Sequence, residues 1–284
     1  MVLLFVAWLA IDETTFLKKA DGVEIVKETP KGTGESSKAS NNDHLIPIDQ
    51  SEVYHGDLLL VNGQYPINDH TNVPDAVRLS DNHELIDGFG LLNNDIQLSE
   101  TLVRKFSEMI EAAAEDGVQH FMISSGYRDA QEQGLLYQEK GAAYALPAGY
   151  SEHQLGLSLD VGSTMTSMSE APEGKWLEEN AWKYGFVLRY PKDKTHITNI
   201  QYEPWHIRYV GLPHSAIMKE KNFVLEEYLN YLKEEEQLSL RLENKQYTIY
   251  YKPISDDSTI TVPDQSMYEI SGNNIDGVII TIQD

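Results

Sequence analysis

No cysteine occurs in the 284 residues. That excludes disulfides, cysteine-ligated zinc and a thiol nucleophile, while fitting reducing and oxidising compartments alike. Positive charge is scarce as well. Lys and Arg total 22 against 45 Asp and Glu, a net charge of −23. This balance argues against nucleic acid or an anionic membrane surface as a general partner, because both need basic patches. Long apolar runs are also missing. The longest, MVLLFVAWLAI at Met1 to Ile11, is shorter than the roughly 20 residues a spanning helix needs. It also lacks the basic n-region and small-residue cleavage site of a signal peptide. It reads either as the shortened end of a membrane anchor or signal, or as a core strand or helix.

Several catalytic signatures are absent too. His83-Glu84 runs into Leu85-Ile86-Asp87, so there is no HExxH helix. No Ser has Lys three residues later, and neither a GxSxG elbow nor a Walker loop is present. If the chain is a hydrolase, a metal is the best remaining route.

What is there is ordinary globular material, 41% hydrophobic and 24% charged, enough for a core. Residues 28 to 52 are poorest in large apolar side chains and read as a linker, so order is expected to begin near Leu58-Leu59-Leu60-Val61, a short strand. Ser99 or Thr101 caps a helix over 99–117, with Leu102, Phe106, Met109, Ile110 and Ala113 at helical spacing and Gly117 as its stop. A strand follows at 118–123. Helices are expected at 129–140, at 173–184 with Trp176 and Leu177 inward, and at 223–236. Alternation at Tyr247 to Tyr251 and at Gly277 to Ile282 marks strands. The organisation is a tail and linker (1–52), a main domain (53–237) and a small β appendage (238–284).

Polar residues sit in three otherwise structural segments: SSGYR at 124–128, SEHQLGLSLD at 151–160 and EPWH at 203–206. Asp160 is the sharpest anomaly. It lies in Leu157-Ser158-Leu159-Asp160-Val161, which reads as a buried strand, and an unpaired buried carboxylate costs several kcal/mol or more. A zinc ion at about 2.0–2.2 Å would compensate it, and His153, Asp160 and His206 supply two imidazoles and one carboxylate, leaving a coordination position open. Glu203 is the candidate general base. Arg128 is the candidate clamp for a substrate carboxylate. Taken singly, each has a plainer reading. His153 reads as a satisfied histidine, Asp160 as a strand-end turn residue, Glu203 as a solvated acid and Arg128 as a surface ion pair. Trp205 reads as a packing residue, and His196 as an exposed histidine that is also the spare ligand. In a regular strand, Glu203 and His206 would point to opposite faces; sharing one site requires a bend, which Pro204 makes plausible.

Together these segments resemble the SxHxxGxxxD and ExxH signatures of the zinc D,D-peptidases of the VanY and VanX type. SGYRDAQEQ, YALPAGYSEH, EENAWKYGF and EPWHIRYVGLPHS resemble the VanY branch in particular, over roughly residues 55 to 235. The resemblance implies that His153, Asp160 and His206 bind one Zn²⁺, that Glu203 is the catalytic base, and that Arg128 stabilises the substrate carboxylate or the developing oxyanion. Ser151 falls on the motif serine that lines the substrate pocket. The implied fold is α+β, of the Hedgehog/D,D-peptidase kind: a small antiparallel sheet with helices packed beside it. The implied substrate is the peptidoglycan pentapeptide ending in D-Ala-D-Ala, cut outside the membrane by a tethered enzyme that contributes to glycopeptide resistance. A D,D-dipeptidase, a cell-wall endopeptidase and a non-catalytic zinc or peptide-binding module are the alternatives.

Overall fold

The structure is a computed structural model that describes residues 23–26, 44–71, 75–142, 145–255, 259–262 and 266–283. The apolar run at 1–11 and the first part of the linker stretch lie outside the described residues. Two strands fall inside the stretch read as tail and linker, β1 (Val23–Val26) and β2 (His44–Pro47). A short 3-10 turn follows at Gln50–Tyr54, so order begins before Leu58. Leu58 to Val61 is buried, as its apolar character demands, but it is a loop. Its backbone groups are satisfied one by one instead of in a ladder. Leu60 N–H donates to the Asn273 carbonyl, and the Leu60 carbonyl accepts from Asn274 Nδ2.

The central sheet is built from β4 (Phe89–Leu91), β6 (Phe121–Ser125), β7 (Ser158–Ser163), β8 (Phe186–Tyr190) and β9 (Glu203–Tyr209), in the order β4-β6-β7-β9-β8. A two-stranded pair, β3 (Ala76–Arg78) with β5 (Gln97–Ser99), precedes helix α1 (Glu100–Glu115). Ser99 Oγ caps that helix by accepting from Leu102 N–H. Helix α2 (Ala130–Lys140) starts with an Asp129/Glu132 capping box. Helices α3 (Pro172–Asn180), α4 (Thr195–Thr198), α5 (His214–Lys221) and α6 (Leu225–Glu235) follow. The architecture is α+β, with the central sheet antiparallel except at one edge, where β4 joins β6 in parallel.

One face of this sheet is apolar. Phe121, Ile123, Leu159, Val161 and Ile207 pack against Leu102, Phe106, Met109 and Ile110 of α1 and Trp176 and Leu177 of α3. Period-2 alternation therefore turns Ser158, Asp160, His206 and Arg208 toward the other face. The strand that read as fully buried has one apolar side and one chemical side.

A second five-stranded sheet contains β1, β10 (Gln237–Leu242), β11 (Lys245–Pro253), β14 (Gly277–Gln283) and β13 (Met267–Gly272), in the order β1-β10-β11-β14-β13. β12 (Thr259–Val262) pairs with β2. Both faces of β14 are covered, which explains its continuous apolar run. Ile279 joins the core of α5 and α6, with Tyr228, Leu229 and Leu232. Val278, Ile280 and Ile282 meet Ile48, Val53, Ile260 and Val262 on the other side. Among the described residues, no helix is long and apolar enough to cross a membrane.

Candidate active site

Asp160 and His206 are cross-strand partners in the β7–β9 ladder. His206 Nδ1 lies 3.0 Å from Asp160 Oδ1. His153 comes from the buried 3-10 turn Glu152–Leu155, which ends at Gly156 in the left-handed conformation (φ 69°) that glycine adopts without strain. Its Nε2 lies 3.4 Å from the same Asp160 oxygen. The ligand atoms of the three residues all lie within 4.8 Å of one another. His196 is exposed and stands outside this group.

The two imidazoles present opposite nitrogens. His153 Nδ1 sits 2.7 Å from the Gly126 carbonyl, so it carries the proton and leaves the Nε2 lone pair facing Asp160. His206 Nε2 sits 3.4 Å from Glu152 Oε2, which leaves Nδ1 facing Asp160. Outer hydrogen bonds of this kind orient metal-binding histidines. Gly126 has no substitute here, because a Cβ would fall 2.2 Å from the Gln97 carbonyl oxygen. Two imidazole nitrogens and a carboxylate oxygen brought this close together fit a small borderline-soft divalent cation, and three protein ligands are the number that leaves a position for a further ligand.

Glu203 reaches the same point. Its Oε2 is 4.0 Å from His206 Nδ1. The bend required by the three-residue spacing is present. Ile207 pairs with Leu188, yet Glu203 pairs with Tyr190, so β9 spends four residues where β8 spends two. A second irregularity, between Ile123 and Ser125 of β6, adjoins Asp160. Trp205 sits within the first bulge and is 41% exposed, unlike the packing residue expected of it. Arg128 is fixed from two sides, donating from Nε to Gln133 Oε1 (2.9 Å) and from Nη1 to Ser125 Oγ (2.8 Å). Its backbone N–H bonds the His153 carbonyl. Neither side-chain bond uses Nη2. Ser151 is buried at the start of the His153 turn.

The electrostatics follow from burial and pairing. Burial opposes ionisation of Asp160, but His153 and His206 hold its carboxyl well below the usual range. Burial also opposes a charge on His206, yet Asp160 and Glu152 outweigh it and raise the group to about 9. His153 goes the other way, pushed down mainly by burial. Burial raises Glu203, and its attraction to His206 only partly offsets this, which suits a base that must return its proton.

Sequence reasoning missed four charged residues behind the site. Glu152 is fully buried and accepts from Arg189 Nε through Oε1 at 2.8 Å. Arg208 Nη1 lies 2.9 Å from the same oxygen, an ion pair too poorly aligned for a hydrogen bond. Arg189 in turn makes a fork-to-fork pair with Glu226 of α6, both bonds 2.8 Å. The available signal was the one that singled out Asp160, a charge inside an apolar run. FVLRY and HIRYV carry it as well.

The chain's similarities agree with this geometry. The family model for VanY, D-alanyl-D-alanine carboxypeptidase, matches residues 95–212. A D-alanyl-D-alanine carboxypeptidase of Enterococcus faecium is 56% identical over 99% of this chain and 94% of its own length. One of Enterococcus faecalis (strain ATCC 700802 / V583) is 33% identical over 71% of this chain and 76% of its own. Among solved structures, the vancomycin resistance D,D-dipeptidase VanXYg in complex with a D-Ala-D-Ala phosphinate analog matches with a TM-score of 0.74 and 33% identity. That match covers 85% of this chain and 99% of the other.

Proposed function

The chain belongs to the VanY family of D-alanyl-D-alanine carboxypeptidases, and from that premise we propose that it is a zinc-dependent enzyme removing the terminal D-Ala from peptidoglycan pentapeptide stems. The observation that carries this reading is the meeting of His153, Asp160 and His206 at one point beside Glu203. Three protein ligands leave a site open, whereas structural zinc sites are normally closed by four.

His153 Nε2, Asp160 Oδ1 and His206 Nδ1 would hold the ion. When bound, zinc polarises the scissile carbonyl and lowers the pKa of the attacking water to about 7. Glu203 takes a proton from that water and gives it to the departing D-Ala amine. Arg128, locked by Ser125 and Gln133, keeps Nη2 for the substrate's terminal carboxylate or the developing oxyanion. Ser151 lines the pocket. Loss of the terminal D-Ala removes the target of glycopeptide antibiotics, so the enzyme contributes to resistance. With no acyl-serine step, a fluorescent penicillin is expected to leave the pure protein unlabelled.

Stem peptides lie outside the membrane, so the proposed substrate calls for an enzyme at the extracytoplasmic face. A second reading, cleavage of free D-Ala-D-Ala, draws on the likeness to a D,D-dipeptidase over 85% of the chain. Product analysis by mass separates the two. Free D-Ala and a tetrapeptide from pentapeptide, blocked by a chelator and restored by zinc, is the expected result. Turnover of dipeptide alone would favour the second reading, and a muropeptide cut elsewhere would sink both.

A further inference from the structure

The hydrolytic reading leaves four charged residues unused, the buried Glu152, Arg189 and Arg208 and the partly buried Glu226. We infer that Glu152 is a positioning residue for the site, fixing which nitrogen of His206 faces the metal, and that Arg189 and Glu226 hold it in register. The inference rests on the metal-binding reading above.

The two oxygens of Glu152 divide the work. Oε1 faces both arginines, at 2.8 Å from Arg189 Nε and 2.9 Å from Arg208 Nη1. Oε2 accepts from Ser158 Oγ (3.2 Å) and faces His206 Nε2 (3.4 Å). A self-contained ion cluster would spend both oxygens on guanidinium groups; this one aims an acceptor at an imidazole. A carboxylate is acceptor-only, so the nitrogen opposite Oε2 carries a proton and Nδ1, beside Asp160, is left as the nitrogen a metal ion can take. The arginines make this robust, since both guanidinium groups stand within 2.9 Å of Oε1 and leave Oε2 for the imidazole. Arg208 is pinned independently, donating from Nη2 to the Asp57 and Leu59 carbonyls. Arg189 is pinned by Glu226, whose helix α6 packs on the second sheet. The register of one imidazole thus depends on a chain of contacts, Glu226–Arg189–Glu152–His206, that begins outside the central sheet.

Glu152→Gln separates positioning from packing. Glutamine has the same shape, but its carbonyl oxygen is drawn to the arginines, which turns its NH₂ toward His206 Nε2. That donor favours an Nε2 lone pair and a proton on Nδ1, where the metal should bind. Zinc affinity of the full chain, measured by competition with a chromogenic chelator, is expected to fall about 10–100-fold, the usual cost of losing an outer partner of a ligand histidine. Ser158→Ala removes a bond to the same oxygen without touching His206 and should bind zinc like wild type. ¹⁵N-resolved NMR of zinc-loaded wild type should show a proton on His206 Nε2, a readout that needs no variant to fold. A deprotonated Nε2 in that spectrum overturns the inference. So does Glu152→Gln with wild-type affinity, or an equal loss in Ser158→Ala. If wild type takes up no zinc at all, it is the metal-hydrolase reading that fails.

Discussion

The two five-stranded sheets of this molecule are built to different standards. The second sheet is regular: β11 and β14 pair through seven consecutive residues, and β10 and β11 through six, without a shift of register. Its inner positions are apolar, as in Ile249, Ile279 and Ile280. The central sheet is shorter in its ladders, bulged twice, and carries charge on one face. The irregularities fall beside the candidate site residues, next to Asp160 and between Glu203 and His206. Regular alternation can place Asp160 opposite His206, but it cannot put residues three apart on the same side of a strand. The β9 bulge does that, so the distortion is part of the site's construction.

The largest expected effect breaks the central sheet's chemistry and leaves the second sheet alone. Asp160→Ala should abolish metal binding and D-Ala release together, because it removes a proposed ligand and the charge facing both imidazoles; zinc stoichiometry and a D-Ala assay check this. The complementary change is Ile280→Ala in β14, where the side chain is buried between packed layers. It should cost about 2–5 kcal/mol in denaturant unfolding, while the folded protein keeps its turnover number.

A third change probes the joint between the second sheet and the helices that cover it. His214 of α5 is buried, with Nδ1 2.7 Å from Tyr228 Oη on α6 and Nε2 2.9 Å from Thr281 Oγ1 on β14. Burial pulls it down to about 3, against about 6.5 in the unfolded chain. Between those values the unfolded state binds the extra proton. The stabilising contribution is therefore complete above about pH 6.5 and is lost as pH falls toward 3. His214→Gln should flatten the pH dependence of unfolding in that window. The smallest effect is expected at the sheet's edge. Met267 is 65% exposed, and Met267→Lys should change stability by no more than about 0.5 kcal/mol, with metal binding and turnover untouched.

Much of this was legible in the chain. Helix α1 announces itself through Ser99 and the spacing of Leu102, Phe106, Met109 and Ile110, since its cap and its burial are both local patterns. The polar words at 124–128, 151–160 and 203–206 mark the residues that the fold assembles. What stayed hidden depends on distant partners. Glu152 looks like a surface acid until Arg189 and Arg208 are brought beside it. Leu58 to Val61 looks like a strand because burial is visible in sequence, whereas its backbone partners, Asn273 and Asn274, lie more than 200 residues away. The strands at Val23–Val26 and His44–Pro47 are formed by pairing with β10 and β12, so their own composition gave little sign of them.

The central claim is that this metal-binding constellation is catalytic, with Glu203 as its base. The most direct test measures D-Ala release from a muramyl-pentapeptide by wild type and Glu203→Ala, with zinc content determined on both proteins. Release by wild type, a fall of about 10²–10⁴-fold in the variant and equal zinc in the two is the expected result. Zinc-loaded wild type that releases nothing from penta-, tetra- or dipeptide substrates, or a variant as active as wild type, would contradict it.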